Sequence, residues 1–434
     1  MNSEECARKN VNLFLLFRVV FNARFYYPVL AILFLDLGLS LEQYSLLNVA
    51  WAASIVGLEV PSGVLADLWG RKKLVVLASV LMVVEMAIFA FAPTENIQLL
   101  FYLFFFNRIL SGAAEAAASG ADEALTYDAL EKAGLEKTWP NVLEKLGRLQ
   151  SIAFFVAMIV GAAVYDPSTF NIVGGWLGLD WNVQAQDVVR MPIYLTFLLS
   201  LVACFASFNM IDHSESDSEV SFGKATKEII DAGKWILFSP IAFFVIFAYV
   251  CNDSVIRMFM TMTSQYYRVL ELPEASFGVI GSVFALIGFI SPTIAKRLIK
   301  LGSAQKSFAA LSLSTLLFLA LLPITTELWG LIFAAGLGLG MGITGFLVSH
   351  YLNEAAEPKK RATILSFKGL AGNLVYGGVG IFFAGLLKSL EQEMPGASEN
   401  TIFMEAMGYL PWVFLGMIVL AYASAKIQNI NCAR

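Results

Sequence analysis

Long apolar runs alternate with short polar segments along the chain, from near residue 12 to near residue 426. About twelve of these runs approach spanning length, since a helix that crosses a bilayer needs about 20 predominantly apolar residues. We expect each run to be helical, because a backbone in hydrocarbon must satisfy its own hydrogen bonds. The predicted spans lie near residues 12–35, 43–66, 72–93, 98–124, 148–165, 190–210, 236–264, 275–298, 305–323, 327–353, 364–388 and 401–426.

One polar segment, residues 212–235, is long enough to separate two parts of the chain. It divides six predicted spans in residues 1–211 from six in residues 236–434. Its second part places Phe222 and Ile229 at roughly helical spacing against lysines, which is typical of a short helix lying on a membrane surface. We therefore predict an all-α membrane protein in which a cytoplasmic linker joins two six-helix bundles.

Composition strengthens the membrane interpretation. Charged residues make up only 15% of the chain, hydrophobic residues make up 58%, and the mean hydropathy is +0.70. Ordinary soluble domains carry about 25% charged residues. A soluble chain with this surplus of apolar side chains could not cover its surface, so we expect the bilayer to be its solvent.

The placement of the cations predicts the orientation of the chain. About 22 of the 29 lysines and arginines fall in the termini or in alternate loops on one predicted face, and cations accumulate on the cytoplasmic side. About three fall on the opposite face, and about four lie inside spans. We therefore expect an integral, multi-pass protein of the bacterial inner (plasma) membrane with both termini in the cytoplasm.

The sequence offers little for catalysis or metal binding. The four cysteines are dispersed and the two histidines lie far apart, so neither a disulfide framework nor a metal-binding spacing is present. No HExxH or GxSxG motif supplies the metal site or the nucleophile that an intramembrane enzyme would need. We expect no enzymatic activity, no metal, no cofactor and no nucleic-acid partner.

A short polar turn between the second and third predicted spans carries the most specific signal in the chain. It reads Gly63-Val-Leu-Ala-Asp67-Leu-Trp-Gly70-Arg71 and is followed by two lysines. Gly70 can take the positive φ of a turn that ends a helix. Gly63 leaves room for a neighbouring helix to approach closely. The pattern is that of a tight cytoplasmic hairpin between two spanning helices.

This turn resembles the signature loop between helices 2 and 3 of the major facilitator superfamily of transporters. It departs from the family pattern at Leu68, where the family usually has a cation. The sequence Arg108-x-x-x-Gly112 resembles the family's fourth-helix motif, whose arginine is implicated in proton coupling in many members, although Ser111 replaces the family's glutamine. The resemblance covers the whole chain and implies alternating access, in which two bundles rock around a midplane site.

Acidic residues end the predicted fourth span. Asp128 resembles the family's partner for the loop arginine, so we expect an ion pair with Arg71. The alternative is a solvated acidic helix end, since exposed ion pairs contribute only about 0–1 kcal/mol. If the pair forms, a latch that closes the cytoplasmic side would comprise Gly63, Asp67, Gly70, Arg71 and Asp128.

Charged and amide side chains inside the predicted spans are the candidate substrate-binding residues. A charge at bilayer depth is costly and normally faces a cavity or a partner. Glu59 is the expected carboxylate partner of the first-half arginines, while Glu85 has no assignment. Static salt bridges are the structural alternative throughout. The candidates are Asn22, Arg24, Glu59, Arg108, Glu115, Asn252, Asp253 and Arg257.

The intramembrane arginines favour an anionic or zwitterionic small-molecule substrate, because each can bind a carboxylate or phosphate through two hydrogen bonds. The carboxylates in the spans make protons the expected coupling ion. Multidrug or lipophilic-compound efflux by proton antiport is the main alternative, although the Gly-Pro motif of such antiporters is absent from the fifth span. Lipid translocation and a non-transporting ligand sensor are further alternatives, and we expect a monomer.

Overall fold

The computed structural model describes residues 3–212, 222–324, 328–356 and 361–427. Every regular element within these residues is helical, and twelve helical segments are long and apolar enough to cross a membrane. The predicted all-α membrane fold with twelve spans is confirmed. Its elements follow from the apolar runs, because only internally hydrogen-bonded helices or closed barrels satisfy the backbone in lipid.

The described residues up to Asn209 contain ten α-helices and two short 3₁₀ turns. The 3₁₀ turns are Tyr27–Val29 and Glu136–Thr138. The α-helices are α1 (Ser3–Asn22), α2 (Leu30–Asp36), α3 (Leu41–Trp69), α4 (Arg71–Phe91), α5 (Ile97–Ala118), α6 (Ala121–Lys132), α7 (Trp139–Tyr165), α8 (Pro167–Trp176), α9 (Ala185–Val188) and α10 (Met191–Asn209).

Nine α-helices follow in the described part of the second half. The first of them lies where the linker helix is predicted and runs four residues beyond Lys234; the acidic part of the linker, residues 213–221, is outside the described residues. The helices are α11 (Phe222–Phe238), α12 (Pro240–Thr261), α13 (Thr263–Val269), α14 (Glu274–Gly288), α15 (Ser291–Ile299), α16 (Ala304–Leu321), α17 (Trp329–Ala355), α18 (Arg361–Glu393) and α19 (Glu399–Ile427).

The chain groups into two compact units. Unit 1 comprises Met1–Leu39, Ala53–Ala225 and Pro273–Ser282; unit 2 comprises Ser40–Ala52, Thr226–Leu272 and Val283–Arg434. The main boundary falls inside α11, within the predicted linker. Two short segments depart from a single cut at the linker, since the start of α3 groups with unit 2 and the start of α14 groups with unit 1.

Unit 1 contains an aromatic core between α2, α4 and α5. The rings of Phe34 and Phe89 stack with centroids 5.0 Å apart, and Phe104 meets both edge-on at 5.4 and 5.1 Å. All three side chains are fully buried. The helices α4 and α10 are joined by a hydrogen bond of 2.7 Å between the hydroxyls of Ser79 and Ser207. These contacts fix the helices that carry the buried charges of this unit.

The first span is not one continuous helix, which corrects the prediction for residues 12–35. α1 ends at Asn22 and helical structure resumes at the 3₁₀ turn Tyr27–Val29. Pro28 supplies a reason, because a proline lacks the amide hydrogen of a continuous helix and its ring clashes with the carbonyl four residues earlier, here that of Arg24. The amide of Phe25, freed by this break, donates to the hydroxyl of Thr196 at 3.1 Å. The interruption therefore places irregular backbone inside the unit, where side chains can satisfy it.

A glycine in α7 permits a close helix contact at this break. A Cβ atom added at Gly161 would collide with the backbone carbonyl of Phe25. Only glycine allows α7 to approach the interrupted backbone at this distance.

Unit 2 is built around α12, whose apolar window is the most deeply buried of the twelve spans. This span also contains a break, because α12 ends at Thr261 and α13 begins at Thr263. Two glycines of α17 lie in close contact with neighbouring helices. An added Cβ at Gly336 would lie 2.5 Å from the Phe318 ring, and one at Gly342 would lie 2.8 Å from the Ser291 hydroxyl.

Candidate functional site

Arg24 lies in the interrupted segment of the first span and is only 3% exposed. Its guanidinium donates to the carboxylate of Glu85 on α4 at 3.0 Å, and Glu85 is itself 1% exposed. The prediction that Glu59 would be the carboxylate partner is therefore wrong for Arg24. A buried cation needs a buried anion to offset its desolvation, and Glu85 is the carboxylate that the helix packing brings within reach.

Glu115 on α5 lies at the edge of the same charge cluster. Its carboxylate is 4.0 Å from the Arg24 guanidinium, and its side chain is about one-third exposed. Asn107 on α5 donates to the backbone carbonyl of Glu85 at 2.6 Å, which ties α4 to α5 at this level. Arg24 is therefore held firmly by one carboxylate and more loosely by a second that is only partly buried.

Arg108 on α5 differs from Arg24 in having no carboxylate partner in the part of the chain that the structure describes. Its side chain is 8% exposed, and its guanidinium carbon lies 5.0 Å from the ring centroid of Phe34 and 5.9 Å from that of Phe89. Its Nε atom is buried without a hydrogen-bond acceptor. The arginine is thus stabilised by aromatic faces while its hydrogen-bonding capacity is unused.

The remaining unit 1 candidates, Asn22 and Glu59, take no part in the Arg24–Glu85 pair. The amide of Asn22 donates to the backbone carbonyl of Arg18 at 2.9 Å and so completes the last turn of α1. Glu59 on α3 is half-buried and forms no ion pair with any described cation. Arg18 has its own buried partner, since its Nε atom lies 3.0 Å from the carboxylate of Asp122 on α6.

Unit 2 holds a second charge cluster on α12. Asp253 and Arg257 are one turn apart and form an ion pair, with side chains 7% and 20% exposed. Arg257 also donates to the amide oxygen of Asn373 on α18 at 2.8 Å and lies 5.2 Å from the ring centroid of Tyr376. The spacing favours this pair, because an acid four residues before a base faces it along one helix. The two α18 partners are residues that the sequence did not assign.

Asn252 neighbours this cluster but points into the helix packing. Its side chain is fully buried, and its amide nitrogen donates to the backbone carbonyl of Ala248 at 2.9 Å and to the hydroxyl of Ser312 at 3.1 Å. The hydroxyl of Thr315 donates to its amide oxygen at 3.3 Å. These hydrogen bonds use the side-chain amide of Asn252 in contacts within α12 and with α16, so the amide presents no free group to a solute.

The hairpin between α3 and α4 contains the ion pair expected from its sequence. Arg71 and Asp128 bond directly, and each side chain is slightly less than one-third exposed. Gly70 has φ +95°, the positive value that the turn requires. The side chain of Asp67 lies outside the described part of the structure. An added Cβ at Gly63 would meet open space, so the predicted close helix approach is absent there among the described residues.

Asp212 is a hairpin contact that the sequence did not reveal. Its carboxylate accepts from the backbone amide of Lys72 at 3.2 Å, at the first turn of α4. Carboxylates are favourable at helix N-termini, where backbone amides lack intrahelical partners. Asp212 lies 140 residues after Lys72 in the chain, so no local sequence pattern indicates this contact. No group of residues in the described part of the chain has the arrangement of a metal site.

Comparison with known proteins agrees with this architecture. The sequence pattern of the Major Facilitator Superfamily matches residues 13–381. No curated protein matches the sequence. The fold is similar to that of the nucleoside transporter NupG, with a TM-score of 0.70 at 15% identity, covering 96% of this chain and 99% of that chain.

Two further solved structures share the fold. One is a bacterial homologue of the human lysosomal transporter Spinster in an inward-facing, unoccupied conformation (TM-score 0.69, 12% identity, 98% of this chain and 96% of that chain). The other is a D-xylose–proton symporter (TM-score 0.60, 11% identity, 99% and 97% covered). At these identities the likeness concerns the fold alone.

Proposed function

Because this chain belongs to the major facilitator superfamily, we propose that it is a secondary transporter that carries a small anionic or zwitterionic solute by alternating access. The family and the transporters that share its fold support secondary transport as the general activity. The preference for an acidic solute rests on the charged residues inside the spans, and above all on Arg108.

The observation that carries the proposal is the contrast between two buried arginines in unit 1. Arg24 is neutralised by Glu85 at 3.0 Å, whereas Arg108 has aromatic neighbours and no described carboxylate. Cation–π contacts contribute about 0.5–2 kcal/mol and leave the N–H donors free. A carboxylate or phosphate would accept from those donors in the planar geometry that a guanidinium favours.

The first test is a thermal-shift screen of detergent-purified protein with acidic probes (benzoate, succinate and phenyl phosphate) and an uncharged control, benzamide. A ligand at a hundredfold excess over its Kd raises the free energy of unfolding by about 2.7 kcal/mol. We expect an acidic probe to stabilise the wild type and to lose this effect with Arg108→Gln. Arg148→Gln is the matched control, because Arg148 is 77% exposed and pairs with Glu144 on its own helix.

Flux into proteoliposomes then separates transport from sensing. We expect the stabilising acid to be accumulated by the wild type and not by Arg108→Gln. Binding without flux would favour a ligand sensor instead. Stabilisation by none of the acidic probes, or equal stabilisation of the Arg108→Gln variant, would contradict the anionic-solute proposal.

We propose Glu115 as the residue that couples transport to protons. It is close to Arg24, and its one-third exposure gives protons access that Glu85 lacks. Glu115→Gln should therefore abolish accumulation driven by a pH gradient while leaving exchange of labelled for unlabelled solute intact. If Glu115→Gln lost exchange as well as gradient-driven accumulation, the result would argue against a coupling role for Glu115.

A second candidate, efflux of lipophilic cations, is favoured by one observation. Glu59 is a half-buried carboxylate inside α3 with no ion pair to a described cation. Such a group could bind a lipophilic cation. Stabilisation by tetraphenylphosphonium that is lost with Glu59→Gln and kept with Arg108→Gln would move the proposal to drug efflux.

The hairpin and the orientation complete the proposal. The Arg71–Asp128 pair and the Gly70 turn support a latch on the cytoplasmic side, with Asp67 as a further member; Gly63, which has no close neighbour among the described residues, is left out of it. The distribution of cations supports cytoplasmic termini in a bacterial inner membrane. If a tag is added at each end of the chain, we expect proteases to reach both tags only in inside-out vesicles.

A further inference from the structure

Lys368 is a cation inside a spanning helix that the charge pairs described above leave out. It lies five residues into the spanning segment Thr363–Glu393, about 8 Å along the axis at the helical rise. Its side chain is half-buried. A lysine at this position could reach the cytoplasmic interface by extending along the helix, as lysines near helix ends commonly do. In the structure, the side chain of Lys368 extends in a different direction.

The ammonium group of Lys368 faces α12. Its Nζ atom lies 5.2 Å from the ring centroid of Tyr249, which is 6% exposed. Because α12 is the most deeply buried span, a group over its tyrosine points into unit 2 and away from lipid. Gly372, one turn further along α18, makes room for this ring, since an added Cβ would lie 2.7 Å from the tyrosine hydroxyl. The lysine, the ring and the glycine form a built contact between α12 and α18.

The charge balance around Lys368 is uneven. Asp253 and Arg257 both interact with it electrostatically, and these two residues neutralise each other in their own ion pair. Lys368 is thus the surplus cation of the cluster, and no carboxylate in the described residues lies within ion-pair distance of its ammonium group. A partly desolvated cation without an anion is costly, so Lys368 is stabilised either by the tyrosine ring alone or by an anionic ligand.

Hydrogen-bonding groups continue from Lys368 along the same helix. Asn373 and Tyr376 lie one and two turns further along α18, and both contact Arg257. The contact between α12 and α18 therefore contains the ammonium group of Lys368 on α18 at one end and the guanidinium group of Arg257 on α12 at the other. Among the described residues, Asp253 is the one carboxylate of this cluster, and it pairs with Arg257.

We propose that Lys368, seated over Tyr249, is the group in unit 2 that binds the carboxylate or phosphate of the transported solute. The inference rests on the proposed transport of an acid and adds to it a residue that determines specificity. Lys368 supplies the net positive charge, and Tyr249 and Gly372 hold the ammonium group in place. Arg257 stays occupied by Asp253 and Asn373.

The test compares Lys368→Gln with Lys368→Arg in the same thermal-shift titrations with benzoate, succinate and phenyl phosphate. A charge-assisted hydrogen bond contributes enough for its loss to weaken acid binding about tenfold or more. Lys368→Arg keeps the charge and should stay within a few-fold of the wild type. Lys306→Gln is the matched control, because Lys306 is an exposed lysine at the start of α16 in the same unit.

The outcomes separate this inference from the transport proposal. Acid binding lost in Lys368→Gln, kept in Lys368→Arg and Lys306→Gln, supports the inference, provided that the ligand-free unfolding temperature is unchanged. Equal affinity of Lys368→Gln and wild type, with binding lost in Arg108→Gln, overturns the role of Lys368 and leaves the transport proposal standing. No acid binding by the wild type overturns both. Carboxylate and phosphate sources are distinguished by which probe shows the largest loss.

Discussion

The two units neutralise their intramembrane charges in different ways. In unit 1, Arg24 and Glu85 come from different parts of the chain, 61 residues apart, and both are almost fully buried. In unit 2, Asp253 and Arg257 lie one turn apart on α12, and the arginine side chain is 20% exposed. The first pair joins two parts of the unit, whereas the second balances charge along a single helix. A pair that crosses helices contributes to tertiary structure, and a local pair leaves its partners freer to respond to a ligand.

Backbone geometry adds to this contrast. The Arg24 segment is not helical and is held by the Thr196 hydroxyl and by the close approach of Gly161. Asp253 and Arg257 lie within a regular helix. We propose that the Arg24–Glu85 pair belongs to the scaffold of unit 1, and that Arg108, which has no described carboxylate partner, meets the solute.

The largest expected effect comes from breaking the buried pair. Glu85→Gln leaves Arg24 in the interior with only the distant Glu115, and removing one partner of a buried ion pair costs about 3–5 kcal/mol. Asp253→Asn should cost less, about 1–2 kcal/mol, because Arg257 keeps the Asn373 amide and some contact with solvent. Thermal unfolding in detergent measures both, with Glu4→Gln on the exposed Arg8–Glu4 pair as control.

The comparison fails if Asp253→Asn destabilises as much as Glu85→Gln. The apolar double variant Arg24→Met with Glu85→Leu sharpens the test. Replacing a buried ion pair by well-packed apolar residues is often neutral or stabilising. Recovery of stability in that variant, together with retained acid binding, would show that the pair is scaffold and takes no part in recognition.

A smaller effect is expected at the glycine contacts of the two units. Gly161→Ala places a methyl group against the Phe25 carbonyl, and overpacking costs about 1–3 kcal/mol, occasionally more. Gly336→Ala meets the Phe318 ring, which can turn aside, so its cost should be lower. Gly175→Ala, where an added Cβ meets open space, is the control. Equal unfolding temperatures for the Gly161 and Gly336 variants would show that the interrupted backbone of unit 1 is not rigid.

The smallest effect on stability is expected at the hairpin. Arg71 and Asp128 also come from different helices, yet both are partly exposed, and such pairs contribute about 0–1 kcal/mol. Arg71→Gln should therefore lower the unfolding temperature little, while altering the maximal rate of transport more than the apparent affinity for solute. If Arg71→Gln lost as much stability as Glu85→Gln, the contribution of an ion pair to stability would depend on joining two parts of the chain and not on burial.

The sequence alone predicted the features that a motif or a resemblance carried. The positive φ of Gly70 followed from the hairpin motif, and the Arg71–Asp128 pair followed from the resemblance of that motif to a known family. Pro28 was a local signal of the break in the first span that was missed, because hydropathy runs smoothly through it. Glu85, Asp212 and Asn373, the distant partners of Arg24, Lys72 and Arg257, had no local signal.

The number of spans and the all-helical fold were determined by the sequence itself, because a backbone in lipid has only a few ways to satisfy its hydrogen bonds and hydropathy reports them directly. The tertiary structure decided three features: the choice of Glu85 over Glu59, the lack of a carboxylate beside Arg108 among the described residues, and the position of Lys368 over Tyr249. Each depends on which helices are neighbours and how each is rotated. Side-chain packing between helices sets both, and no single segment encodes that packing.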